Sequence, residues 1–173
     1  MRKLSVVLIG VLFLPIWVGA QQAPASKWSA WSEFIGTWQG AGGGQPGQGA
    51  GEFSLLPGLQ GEVLVRRNYA SYPAMKARPA FRHDDLTIIY KDGARTRADY
   101  WDSEGHVIHY AVRLSRDGRE LEFVSDAVPG QPRYRLSYAK TGRDEMKITF
   151  AIAPPSAPTE FKTYVVAAAR RKK

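Results

Sequence analysis

Along the second half of the chain, apolar and polar residues alternate one by one. Ile108, Tyr110, Val112 and Leu114 share one side, with His109 and Arg113 on the other. Leu121 and Phe123 oppose Glu120 and Glu122; Tyr134, Leu136 and Tyr138 oppose Arg133 and Arg135; Met146, Ile148, Phe150 and Ile152 oppose Lys147 and Thr149. A period of two is that of a strand with one face buried and one wet. Further strands are expected over Thr37–Gln39, Glu52–Leu56, Glu62–Tyr69, Leu86–Tyr90, Thr96–Trp101 and Phe161–Ala169. Ahead of them, Trp28, Trp31, Phe34 and Ile35 recur at helical spacing and predict a short N-terminal helical turn with one apolar face.

Turn signals separate these runs at an even pace. Gly93, Gly105, Gly118, Gly130 and Gly142 follow one another at intervals of 12, 13, 12 and 12 residues. Most stand in pairs such as Asp92-Gly93 and Asp117-Gly118, where glycine accepts a positive φ at no steric cost. The fold class is therefore all-β. About ten antiparallel strands in a chain this short close most naturally into an up-and-down barrel, because closure removes exposed edges. A two-sheet sandwich is the alternative.

The N-terminus reads differently. Arg2 and Lys3 precede an uncharged apolar run from Leu4 to Val18, and Val18-Gly19-Ala20 supplies small residues before polar Gln21-Gln22. This is the pattern of a secretory signal peptide. The run is short for a membrane span and carries Pro15, so no stable span is expected after cleavage. The organisation is then a signal peptide over 1–20, a linker over 21–27, a barrel domain over 28–169 and a basic tail over 170–173, in a secreted or periplasmic protein. With no cysteine in the chain, the core must hold the fold without disulfides.

A formal charge of +8 suggests nucleic acid until it is located. Of the 24 basic residues, two lie in the leader and four form the terminal Arg170-Arg171-Lys172-Lys173, leaving 18 against 16 acids with the signs interspersed. Such a body has no concentrated field for phosphates, and no nucleic-acid partner is expected.

The glycine-rich stretch Gly40–Gly51 holds a formal G-x-G-x-x-G at Gly42–Gly47, but no helix follows to present its amides to a pyrophosphate. A hairpin loop accounts for it. Gly36-Thr37-Trp38, entered from a helical turn, resembles the first strand of lipocalin-like (calycin) barrels, in which the tryptophan plugs the closed end. Gly36, Trp38, Gly40, Gly42 and Gly44 resemble the G-x-W-x-G-x-G-x-G opening of nitrobindin-type haem barrels, which have ten strands. The whole chain is similar to small exported bacterial proteins of unknown function. The nitrobindin resemblance implies haem held by a histidine toward the C-terminus. This chain has Pro46-Gly47 in place of the motif's closing Tyr-Pro and no histidine beyond His109, so no cofactor is expected.

Candidate chemistry is sparse. The histidines are His83, His106 and His109, and alternation sends the last two to opposite faces, so no metal site is expected. His83-Asp84-Asp85 reads as a polar cluster in the connection before a strand. No nucleophile elbow occurs. Asp99 is the carboxylate of first interest, with a wet-face ion pair as its ordinary explanation.

The apolar faces carry more than hydrocarbon. The expected register points Tyr69, Tyr90, Tyr100, Tyr110, Tyr134 and Tyr138 inward, joined by Arg67 beside Val63 and Val65, and by His106 ahead of Ile108. Buried phenols and a buried guanidinium require partners, solvent or a ligand. These eight are the candidate ligand-binding residues. The function they suggest is an exported barrel that binds a small hydrophobic or amphipathic molecule, with any anionic group at Arg67. The alternatives are an enzyme using His106 or His83 with a carboxylate as an acid–base pair, and a filled barrel serving as a structural or interaction module of the cell envelope.

Overall fold

The computed structural model describes residues 26–41, 50–76 and 79–173. The expected signal peptide, most of the expected linker and positions 42–49 of the glycine-rich stretch lie outside the described residues.

Ten strands follow a 3₁₀ turn at Ser29–Trp31: β1 (Gly36–Ala41), β2 (Ala50–Gly58), β3 (Val63–Tyr72), β4 (Phe81–Asp92), β5 (Arg95–Asp102), β6 (Val107–Leu114), β7 (Glu120–Ser125), β8 (Arg133–Gly142), β9 (Glu145–Ala153) and β10 (Lys162–Arg171). Each pairs antiparallel with its sequence neighbours, and β10 returns to β1 through Trp38 opposite Arg171 and Ala41 opposite Ala168. That last ladder makes a closed up-and-down barrel and rules out a sandwich. Gly93, Gly105, Gly118 and Gly130 adopt the positive φ that their turns demand.

One end of the barrel is solid. Trp28, Phe34 and Trp38 are fully buried there, with Leu64, Ile89, Leu121, Phe123 and Met146 around them. The indole N–H of Trp38 donates to the Phe34 carbonyl at 2.9 Å, and that of Trp28 donates to the Gly61 carbonyl at 3.0 Å. These bonds satisfy the polar edges that burial would otherwise leave costly. Arg171 and Lys140 lie over the Trp38 ring, 4.2 and 4.7 Å from its centroid. The Arg171 guanidinium also donates to the carbonyls of Ile35 and Glu33. The basic C-terminal residues are thus partly structural. β10 runs two residues past the expected Ala169 because Arg171 ties the last strand to the plug.

The register of β3 and β4 differs from the sequence expectation. Val63-Leu64-Val65 is apolar on both faces, and so is Leu86–Tyr90, so alternation leaves both phases open. Tertiary pairing settles them: Leu64 lies opposite Ile89, and both are fully buried. Period two then turns Arg66 and Asn68 inward and Arg67 and Tyr69 outward. Arg67 is exposed, and the Tyr69 ring lies under the Arg82 guanidinium at 4.2 Å on the outer face. Tyr90, next to Ile89, also points outward, toward Arg97 and Asp99. Nor is His83-Asp84-Asp85 a connection: β4 begins at Phe81, so His83 and Asp85 share the inner face with Thr87 and Ile89.

Candidate functional site

The other half of the barrel is hollow. A cavity of about 810 Å³ opens at the end where β3 finishes and β4 begins. The up-and-down topology places the ends of β3, β5 and β7 beside the starts of β4, β6 and β8. Inward positions near those ends therefore line one chamber. On β6, β8 and β9 they are mostly apolar, Ile108, Leu136, Ile148, Phe150 and Ile152 with Val165 of β10, joined by the phenols Tyr110 and Tyr134. On β3, β4 and β5 they grade from apolar at the closed end to polar midway, before Ala70 and the stacked rings of Tyr72 and Phe81 at the rim. Leu64 gives way to Arg66 and Asn68, Ile89 to Thr87, Asp85 and His83, and Ala98 to Tyr100 and Asp102. The chamber thus has one apolar wall and one polar wall.

The polar wall is a continuous hydrogen-bond network. Arg66 forms an ion pair with Asp85, and both side chains are more than nine-tenths buried. Asn68 Nδ2 donates to the other Asp85 oxygen at 2.8 Å. Burial works against the Arg66 charge, but Asp85 more than offsets it and keeps the guanidinium charged. Next along the wall, His83 Nε2 lies 3.5 Å from Asp85 Oδ2 and 3.2 Å from the Tyr100 hydroxyl, while Nδ1 lies 2.8 Å from Glu104 Oε1. Asp85 chiefly, against the cost of burial, and then Glu104 raise the His83 pKa to about 9. At neutral pH the imidazolium therefore donates from both nitrogens.

Tyr100 passes the polarity on. It accepts from His83 and donates to Asp102 Oδ2 at 3.1 Å. Burial, followed by the charges of Asp85 and Asp102, pushes its pKa well above the ordinary phenol value, so it remains a donor. Asp102, with a side chain only 4% exposed, also receives the His106 ring Nδ1–H at 2.8 Å and the backbone N–H groups of Glu104 and His106 at 3.0 and 2.9 Å. Burial alone would raise its pKa, but these donors hold it below the usual carboxylate range. Both Asp102 oxygens are thereby committed.

Of the eight residues expected to meet a ligand, Tyr100, His106, Tyr110 and Tyr134 line the chamber. Tyr138 points inward but lies in the core below it, with Phe53 and Phe123. Arg67, Tyr69 and Tyr90 are on the outside. The interior arginine is Arg66, which with Asn68 and Asp102 escaped the sequence reading, while Asp85 was read only as part of a polar connection. Their signal was the shared apolar-to-polar gradient along three consecutive strands. His109 faces out, paired at 2.6 Å with Asp99, whose wet-face partner is this histidine. Among the described residues no group of histidines, cysteines and carboxylates is arranged to hold a metal.

The closed ten-stranded antiparallel barrel is compatible with a lipocalin-like architecture. The chain matches no family model and no curated protein.

Proposed function

We propose that this chain is an exported lipocalin-like barrel that holds a small amphipathic or hydrophobic molecule in its open half. The observation that carries the reading is the two-walled chamber of about 810 Å³, a size suited to a small ligand. Apolar side chains of β6, β8 and β9 would receive the body of the ligand, and the Arg66–His106 network would face its polar part. A nitrobindin-like opening is consistent with β1, where Gly36 and Trp38 stand at the plug. Two outcomes bear on the proposal. The neutral dye Nile red should bind the full chain with saturable fluorescence at about one site, and native mass spectrometry of protein from its own host should retain a small molecule. A dye that fails to saturate, on protein that carries nothing, sinks the reading.

A second reading has one observation of its own. Asp102 fixes the His106 tautomer through Nδ1 and leaves Nε2 without a partner among the described residues. That is the arrangement of a general base oriented by a carboxylate. Ester turnover by the full chain that vanishes in His106→Gln would favour an enzyme over a binding protein.

A further inference from the structure

The electrostatics of the chamber bear on what it can hold. An interior arginine invites an anion only if its charge is unspent. Here Asp85 neutralises Arg66, and the guanidinium rests on the Phe53 and Tyr138 rings at 5.2 and 5.8 Å from their centroids. The guanidinium bonds Asp85 through Nη1, and its Nε–H is shut off from the chamber without a partner, as is the Tyr138 hydroxyl. The other cation of the wall, His83, is flanked by Asp85 and Glu104. Counting Asp102, three carboxylates stand on this wall against two cations. A carboxylate ligand would therefore lose its hydration and find no free positive charge. An ammonium ligand fares little better, because the Asp85 and Asp102 oxygens already hold donors of the protein, and Glu104, bonded to His83, is half-exposed to solvent.

One buried uncharged group on the chamber wall remains unspent. Tyr110, on β6, lines the chamber and is only 3% exposed, with its ring packed edge-on against Tyr100 and Phe123. No group among the described residues pairs with its hydroxyl, and it is not among the atoms sealed from solvent. Burial raises its pKa, so it stays a phenol. A buried O–H at a cavity wall without a protein partner is a hydrogen bond held open for something inside the cavity.

We infer that the chamber selects an uncharged amphipathic molecule, one whose oxygen accepts a hydrogen bond from Tyr110, over the carboxylate or ammonium of the same chain length. This rests on the binding reading above and names its ligand class: a neutral alcohol, ketone or ester on a hydrocarbon body.

The experiment is displacement of Nile red from the full chain by 1-decanol, decanoate and decylammonium, with decane as the hydrocarbon control. Decanol should displace the dye at a concentration at least about tenfold lower than either ion, the penalty expected for burying an unpaired charge. Tyr110→Phe should weaken decanol by about five- to tenfold, the value of one hydrogen bond, and leave decane unchanged. Its melting temperature should stay at that of wild type, since the hydroxyl has no protein partner to lose. Decanoate or decylammonium binding as well as decanol overturns the selectivity, and decanol unaffected by Tyr110→Phe overturns the role of Tyr110. In both cases a saturating Nile red signal keeps the binding reading itself intact. If Nile red does not bind at all, the binding reading falls and this inference with it.

Discussion

Arg66 and Asp85 form a buried ion pair between adjacent strands, at the level where the solid core ends and the hollow half begins. Each makes the other tolerable: the guanidinium could not stay buried without the carboxylate, nor the carboxylate without the guanidinium and Asn68. Removing one partner should be far worse than removing both. Asp85→Ala should destabilise the fold by about 3–5 kcal/mol, while the double change Arg66→Met with Asp85→Leu should recover most of that loss, the lost bond of Asn68 accounting for the rest. Urea denaturation of the three proteins reads this directly. A double mutant as weak as the single one would show that the pair contributes more than mutual charge compensation.

The inverted faces of β3 and β4 give a sharper comparison. Arg67→Leu and Tyr90→Phe alter only the outer surface, so Nile red affinity should stay within about twofold and stability within about 0.5 kcal/mol of wild type. Tyr100→Phe, inside, takes one donor from Asp102 and one acceptor from His83 and should cost about 1–3 kcal/mol. If Arg67→Leu were the change that abolished dye binding, the faces assigned to β3 would be wrong.

Trp38 is the centre of the plug. Trp38→Ala removes a fully buried indole, its bond to the Phe34 carbonyl, and the ring on which Arg171 and Lys140 rest. A loss of about 3–5 kcal/mol is expected. At about 2–4 °C per kcal/mol for a chain of this size, the melting point should fall by roughly 10 °C. A melt within a couple of degrees of wild type would contradict the plug.

His83 makes stability depend on pH with a definite sign. Its pKa is about 9 in the folded chain and near 6.5 when unfolded, so between those values the folded state binds more proton. The stabilisation is complete below pH 6.5 and is lost as pH rises through 9. The decline should be at most about 1.4 kcal/mol per pH unit. His83→Gln should flatten the slope across that window. Urea midpoints at pH 6, 7.5 and 9 decide the matter, and equal slopes in the two proteins would remove His83 as the cause.

The sequence by itself determined the all-β class, the number of strands and the turns, because each of these is local. Alternation gives a strand and positive-φ glycines give the turns, while the plug was implied by the resemblance of Gly36-Thr37-Trp38 to lipocalin-like barrels. The sequence also determined the inner face wherever one phase was polar, as at Arg113 against Tyr110 or Glu122 against Phe123. Only tertiary structure decided the phase of β3 and β4. There Val63-Leu64-Val65 and Ile88-Ile89-Tyr90 are apolar on both faces, and the contact of Leu64 with Ile89, 25 residues apart in the chain, breaks the tie. The polar wall follows from that choice. A buried arginine is unfavourable until its carboxylate is known, and Asp85 reaches Arg66 only once two strands have paired. The chamber has the same origin: its two walls come from strands far apart in sequence, and their opposition exists only after β10 has closed on β1.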